Sequence, residues 1–260
     1  LTSFDSDGFS LGTASDVNVN GATYVAWNWK ANGSGSSNTA GSITSTVSAN
    51  TTSGFSVSIC TTQSSSTGTF GHGLGVAPKM IIIKPRNSAN SWVVWHTALP
   101  ATNYLILQQT NASLYEPTYF NSTAPSSTVV TLGTAYAGSA QIVCYAFAEI
   151  DGYSKIGSYT GNGSSDGPFV YCGFRPAYIM YKRTDSISDW GIVDATRNPS
   201  NVVGEYLAAD LSSAGVTYSM LDILSNGFKP RWNDTSNNAS GGTYIFLAFA
   251  SNPFKYALAR

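Results

Sequence analysis

Ten residues recur at one fixed distance along this chain. Gly173-Phe174-Arg175-Pro176-Ala177-Tyr178-Ile179-Met180-Tyr181-Lys182 lies over Gly75-Val76-Ala77-Pro78-Lys79-Met80-Ile81-Ile82-Ile83-Lys84 at an offset of 98, and Trp190 then falls on Trp92 without a gap. Self-similarity at a fixed period marks a structural unit used more than once. Each copy reads as a turn, then a proline at a strand start, where no ladder donor is needed, then an apolar run. The run is continuous rather than alternating, which predicts a strand with both faces covered.

An offset near 100 in a chain of 260 residues fits two units of β-sandwich size. Short apolar or alternating stretches such as Gly54–Ile59, Ser91–His96, Thr128–Leu132 and Gln141–Ala148 are separated by Gly, Ser, Thr and Asn. That pattern predicts an all-β fold of tandem antiparallel β-sandwich repeats, jelly-roll or lectin-like, with an up-and-down barrel as the alternative. Ala146-Phe147-Ala148 and Ala248-Phe249-Ala250 read as equivalent last strands, their small residues favouring close sheet packing and so the sandwich. No stretch has sustained helical periodicity; Pro199 to Leu211 is the best candidate for a turn or two.

The expected boundaries follow from the recurrence. Residues 54–152 form the first full repeat and 153–260 the second. Residues 1–30 read as the C-terminal part of a preceding repeat, because Ser6-Asp7-Gly8-Phe9 resembles Ser225-Asn226-Gly227-Phe228 and Gly21–Val25 resembles Gly241–Ile245. They are expected to contribute strands, and the chain to be a fragment of a longer polypeptide. Residues 31–53 hold few large apolar groups beyond Ile43 and Val47 and read as a flexible Gly/Ser/Thr linker.

Charge narrows the function. Thirteen basic and 14 acidic residues, 10% of the chain with no run of either sign, give no electrostatic reason to expect nucleic acid or an anionic membrane as partner. No apolar run reaches the length of a membrane span, so no membrane insertion is expected. Cys60, Cys144 and Cys172 are an odd number without metal-like spacing and read as small buried apolar residues.

Few residues invite a chemical reading. Gly71-His72-Gly73-Leu74-Gly75 lacks the spacing of a dinucleotide loop and precedes a strand, not a helix, so it reads as a tight turn. His72 and His96 have no partners at ligand spacing, and Asp194 stands where His96 would recur. The sparse carboxylates, Glu149 and Asp151 among them, suggest no catalytic pair, and no catalytic residue, cofactor or metal is assigned. Whether Asp185, Asp189 and Asp194 bind calcium through oxygen is open at this point. The aromatics are the better lead. Trp92 and Trp190 are matched and read as core, whereas Trp95 and Trp232 have no aromatic counterpart. Those two are the candidate ligand-binding residues, as platforms for the apolar face of a sugar ring.

Phe4-Asp5-Ser6-Asp7-Gly8-Phe9, Tyr24-Val25-Ala26-Trp27-Asn28-Trp29-Lys30-Ala31, Thr160-Gly161-Asn162-Gly163, Gly173-Phe174-Arg175-Pro176 and Asn252–Arg260 together are similar to a repeated domain of uncharacterised function. That domain occurs in virion structural proteins of marine tailed bacteriophages, in tail fibre and tail appendage proteins. The likeness covers nearly the whole chain, with Leu74-Gly75-Val76-Ala77-Pro78 as a variant of the Gly-Phe-x-Pro phrase. It carries no catalytic residue. It implies a non-enzymatic virion structural protein at the virion surface, attaching to a host surface glycan or protein. Other virion subunits are then its partners, and Arg260 its C-terminus. An architectural capsid-decoration or tail-building protein is the alternative, and a polysaccharide depolymerase a further one. The doubly apolar runs at Met80–Ile83 and Tyr178–Tyr181 need cover from a loop, the sister unit or another chain. A symmetric homo-oligomer is the simplest cover, and the resemblance implies a threefold fibre tip.

Overall fold

The structure, a computed structural model, describes residues 1–5, 8–64 and 67–251, and the resembling phrase Asn252–Arg260 lies outside them. It divides into two bodies, 1–30 and 31–260.

In the first body, β1 (Ser3–Phe4) pairs antiparallel with β2 (Phe9–Ser10), Phe4 opposite Phe9. The Asp5 carboxylate accepts the hydroxyls of Ser3 and Ser10 at 3.0 and 2.8 Å. Ser6 and Asp7 fall outside the described residues. The strand expected over 23–27 does not form: residues 22–30 have no regular structure and Tyr24 is 52% exposed. Its counterpart, Thr243–Ala250, is paired on both sides, whereas among the described residues of 1–30 no strand pairs with this stretch. A lone hairpin is marginal in water.

Among its described residues the second body is β-structured apart from one short helix and one 3₁₀ turn, and its strands pair antiparallel, with one isolated parallel bridge between Ile43 and Phe70. In chain order it lays down β3 (Ser36–Asn38), β4 (Ser45–Asn50), β5 (Phe55–Thr61), β6 (Gly68–Gly71), β7 (Met80–Pro85), β8 (Val93–His96), β9 (Asn103–Ile106), β10 (Leu114–Tyr115), β11 (Val129–Leu132) and β12 (Gln141–Phe147). Then come β13 (Ser154–Thr160), β14 (Val170–Tyr171), β15 (Pro176–Arg183), β16 (Trp190–Asp194), β17 (Val203–Ala208), β18 (Val216–Leu224), β19 (Gly227–Pro230), α1 (Thr235–Asn238) and β20 (Thr243–Ala250). One eight-stranded sheet runs β10-β9-β8-β7-β12-β5-β4-β3, with the pair β6–β11 apart from it. The other runs β13-β20-β15-β16-β17-β18-β19-β14. It curls until Tyr159 of β13 meets Phe228 of β19 edge to face at 5.9 Å, a nearly closed, barrel-like arrangement.

The organising runs are the middle strands of these sheets, and their register repeats. Met80 faces His96 and Ile81 faces Trp95 in the first sheet; 98 positions on, Tyr178 faces Asp194 and Ile179 faces Val193. On the far side, Ile81 faces Ala146 and Ile179 faces Ala248. Two turn contacts repeat as well. The Trp92 amide donates to Gln108 Oε1 and the Trp190 amide to Asp210 Oδ1, both at 3.0 Å. His96 Nδ1 accepts from the Ala98 amide, and Asp194 Oδ1 from the Thr196 amide, again both at 3.0 Å. The glycine phrase aligns differently from the gapless reading. Gly73 and Gly173, at φ +73° and +83°, precede Leu74 and Phe174, which enter the two cores. Gly75-Val76 is therefore an insertion, absorbed by the turn before Pro78.

Strand alternation explains why the runs are apolar on both sides. Ile81, Ile83, Val93, Trp95, Cys144 and Ala146 point into one core, closed by Phe70, Val130 and Leu132 of β6 and β11. Ile179, Tyr181, Val193, Phe246 and Ala248 point into the other. The intervening residues, Met80, Val94, His96 and Leu105 on one sheet and Met180, Lys182, Trp190 and Ile192 on the other, are also buried. They sit where the sheets meet each other. Phe147 and Phe249 touch at 6.3 Å, Trp190 Nε1 donates to Ile106 O, and Lys182 Nζ donates to Thr110 O. The second faces are thus covered within the chain, which removes the structural premise for a homo-oligomer.

Three further expectations are corrected. Residues 31–53 are no linker: β3 and β4 extend the first sheet, with Ile43 and Val47 buried. The sparse apolar groups suffice because β4 pairs along five positions of β5 and buries Ser45 and Val47, its last three residues being half-buried. Pro199–Leu211 holds β17 and no helix, its Val203 and Tyr206 being core residues. Trp92 is only half-buried, stacked on Tyr145 at 6.3 Å, while its counterpart Trp190 is enclosed.

Candidate functional site

A cleft of about 290 Å³ opens beside the second core, lined by residues of β17 and β18, the loop before β16 and the segment entering α1. The β17–β18 register shifts between Val203 and Glu205, where β18 advances four residues to two of β17, and pairing resumes at the cleft with Tyr206 opposite Val216. Tyr206 comes from β17, Tyr218 and Met220 from β18. The Arg231 amide donates to Met220 O at 2.9 Å, which prolongs the β18–β19 ladder by one step and delivers Trp232 beside Tyr218. The two rings stack at 4.6 Å and 18°.

The floor is held rigidly. Asp234 caps α1 through Oδ1, which accepts from the Ser236 amide at 2.7 Å. Tyr244 Oη donates to Thr235 O and accepts from the Ala239 amide, both at 2.8 Å, and Asn237 Nδ2 donates to Met220 O at 3.1 Å. Asn237 is buried with its Oδ1 unpartnered.

Electrostatics at the base of the cleft are acidic. Tyr206 Oη donates to Asp189 Oδ2 at 3.3 Å. Burial, and then the carboxylates of Asp189 and Asp210, push the Tyr206 phenol far above its ordinary range, so it stays a donor. Burial also raises Asp210, against the pull of the Trp190 amide. Behind them Lys182 is fully buried, and desolvation lowers it to about 8 despite Asp210 and Asp189. Its Nζ donates to the carbonyls of Thr110 and Arg183 at 3.3 and 2.7 Å.

Of the two candidate aromatic platforms, Trp232 lines this cleft and Trp95 does not. Trp95 is 4% exposed inside the first core, with no partner for Nε1. Its spacing of three from Trp92 puts the two on opposite faces of the sheet, and the face Trp95 takes is closed by β6 and β11. Asp185, Asp189 and Asp194 are not brought together. Asp185 forms a two-pronged pair with Arg183 and is lowered to about 2 by it; Asp194 holds Arg197 at 2.6 Å; Asp189 holds Tyr206. Among the described residues no three His, Cys, Asp or Glu side chains form a metal-binding group. Glu149 is spent on Lys79 and Lys155 at 3.0 and 2.9 Å. His72 holds Ser126 O through Nε2 and the Leu74 amide through Nδ1. The three cysteines are free and buried, and desolvation pushes Cys60 and Cys172 up to about 12, far from thiolate chemistry at neutral pH.

Tyr206, Tyr218 and Asp234 were not singled out by the sequence. The alternation of Val216, Tyr218 and Met220 with Thr217 and Ser219 is the signal that could have placed Tyr218 on a strand. Asp234 before Thr235-Ser236 is a legible cap signal. Two other grooves, one along residues 32–38 and one along 42–46, contain no aromatic ring. Among the described residues no helix is long and apolar enough to cross a membrane.

No curated protein and no solved structure significantly matches this chain. A family match spans residues 1–253, both sheets and the N-terminal hairpin included, and the chain belongs to that family, described as Domain of unknown function (DUF7483).

Proposed function

We propose that this chain is a non-enzymatic virion structural module, part of a bacteriophage tail fibre or appendage, that attaches to a glycan on the host surface. The observation that carries the attachment reading is the cleft walled by the stacked Trp232–Tyr218 pair, with hydroxyl and carboxylate groups at its base. Aromatic walls take the apolar face of a sugar, and few convergent polar groups orient its hydroxyls. The virion assignment, and with it a virion-surface location, rests on the resembling phrases. A threefold assembly rests on them alone, since the chain covers its own doubly apolar strands. The finer architecture belongs to the same proposal: the units meeting at 152/153 are tandem β-sandwich repeats, the first of them including β3 and β4 ahead of residue 54, supported by the shared register and turn contacts.

A glycan array probed with the full chain and with Trp232→Ala tests the attachment reading. Binding that the variant loses while its circular dichroism is unchanged is the expected result. No bound glycan, or equal binding by the variant, overturns it. Release of reducing ends from a bound polysaccharide would move the assignment to a depolymerase.

A further inference from the structure

We propose that the Trp232–Tyr218 cleft selects an amine-bearing sugar and rejects acidic ones, an inference that rests on the glycan reading above. Asp189 and Asp234 line the cleft, and no Lys, Arg or His does. Each carboxylate has one oxygen engaged, Asp189 Oδ2 by the Tyr206 hydroxyl and Asp234 Oδ1 by the Ser236 amide. Asp189 Oδ1 and Asp234 Oδ2 have no hydrogen-bond partner among the described residues, so two acceptors remain for a ligand. Lys182, the cation that acts on Asp189 from behind, cannot offset them toward a ligand, because it is fully buried and its Nζ is held by two carbonyls.

A sugar ammonium carries donors and no acceptor, which complements two free carboxylate oxygens, and a bond between ionised partners is the strong kind. An acetamide at the same ring position offers one neutral donor. A uronate brings a third negative charge into a partly desolvated site that has no cation to receive it. The aromatic wall contributes equally to all three, so charge decides the order.

The test is titration of the full chain with three probes of similar length: glucosamine oligomers, their N-acetylated counterparts, and oligogalacturonate, each followed by calorimetry. The amine form is expected to bind about tenfold more tightly than the acetylated form, a difference of one charge-assisted bond. Oligogalacturonate is expected not to bind. Asp189→Asn and Asp234→Asn, which keep the shape and the cap acceptor, should bring the amine preference toward one. Acetylated or acidic oligomers binding as tightly as the amine form to the unaltered chain overturn this inference, whatever the variants do. If such binding is lost in Trp232→Ala, the glycan reading survives while the charge selection falls; if no probe binds and the array is blank, both fall.

Discussion

Trp190 Nε1 donates to the carbonyl oxygen of Ile106 at 2.9 Å, tying the second eight-stranded sheet to the first. Trp92, the residue at the equivalent register position, makes no such bond and lies half-exposed on Tyr145. One sequence position therefore serves two purposes: in one sheet it closes the contact between sheets, in the other it caps a rim. Removing the donor while keeping a ring isolates that bond. Ile106 O also accepts from the Gln109 amide at 3.3 Å, so Trp190→Phe removes one of its two donors and is expected to cost about 1 kcal/mol in urea denaturation, whereas Trp92→Phe should cost under about 0.5 kcal/mol. Equal losses would mean that the bond contributes nothing specific.

The segment 31–53 offers a second test. Ile43 and Val47 are 7% and 6% exposed, and Ile43 pairs with Phe70 of β6 through an isolated parallel backbone bridge beside the first core. Ile43→Ala should destabilise the chain by about 2–4 kcal/mol as a buried cavity does. A flexible linker would tolerate it without change in the denaturation midpoint.

Trp95 and Trp232 should separate stability from binding. Trp95→Ala empties part of a closed core and is expected to cost about 3–5 kcal/mol. Trp232→Ala should cost no more than about 1–2 kcal/mol, since the ring is only half-buried and stacks on exposed Tyr218. Loss of glycan retention is expected in the second variant alone, as scored on a glycan column at a temperature where both remain folded.

These contrasts show what could be read from the chain. The strands with doubly apolar runs were legible because burial on both faces leaves a continuous hydrophobic signature at Met80–Ile83 and Tyr178–Tyr181. β4 was not, because a strand near a sheet edge needs only alternate apolar residues, and Ser45 fills one buried slot by donating its hydroxyl to Gly71 O. Nor could the sequence separate Trp95 from Trp232. An unmatched indole is equally compatible with a core and a cleft until β6 and β11 are seen to close one face. Asp210 shows the converse: Gln108 does the same turn-capping work in the first sheet, so its perturbed carboxyl carries a structural explanation.

His96 should make stability pH-dependent. It is fully buried, Nδ1 accepts from the Ala98 amide, and Nε2 faces the Phe246 backbone without a hydrogen bond of ordinary geometry. Protonation would place a donor against a donor in a dry site, and burial accordingly lowers the imidazole to about 4. The folded value lies below the unfolded one of about 6.5, so the unfolded chain binds more protons between the two. Stability is full above about 6.5 and declines as pH falls toward 4, by up to about 3 kcal/mol. His72, lowered by burial as well, acts in the same direction. Denaturation midpoints measured from pH 7 to 4 should fall for the unaltered chain and flatten in His96→Asn, whose side-chain oxygen can still accept from Ala98. An unchanged slope in the variant would assign the acid sensitivity elsewhere.

The most direct test of equivalence between the sheets lies in a swapped volume. Ile83 faces Val93 in the first sheet, and at the same register Tyr181 faces Gly191 in the second. The Tyr181 ring lies over Gly191 so closely that a Cβ there would collide with it. Large beside none replaces medium beside medium. Gly191→Val alone should therefore overpack the second core and cost about 1–3 kcal/mol. Tyr181→Ile alone should leave a cavity, offset in part by removal of a buried hydroxyl that has no partner. The double variant rebuilds the Ile–Val pair of the first sheet and should be more stable than the sum of the single changes by about 0.5–3 kcal/mol, the range for residues in contact. A double-mutant cycle by urea denaturation reads this directly. Strict additivity would mean that the two sheets share a register without sharing a packing scheme.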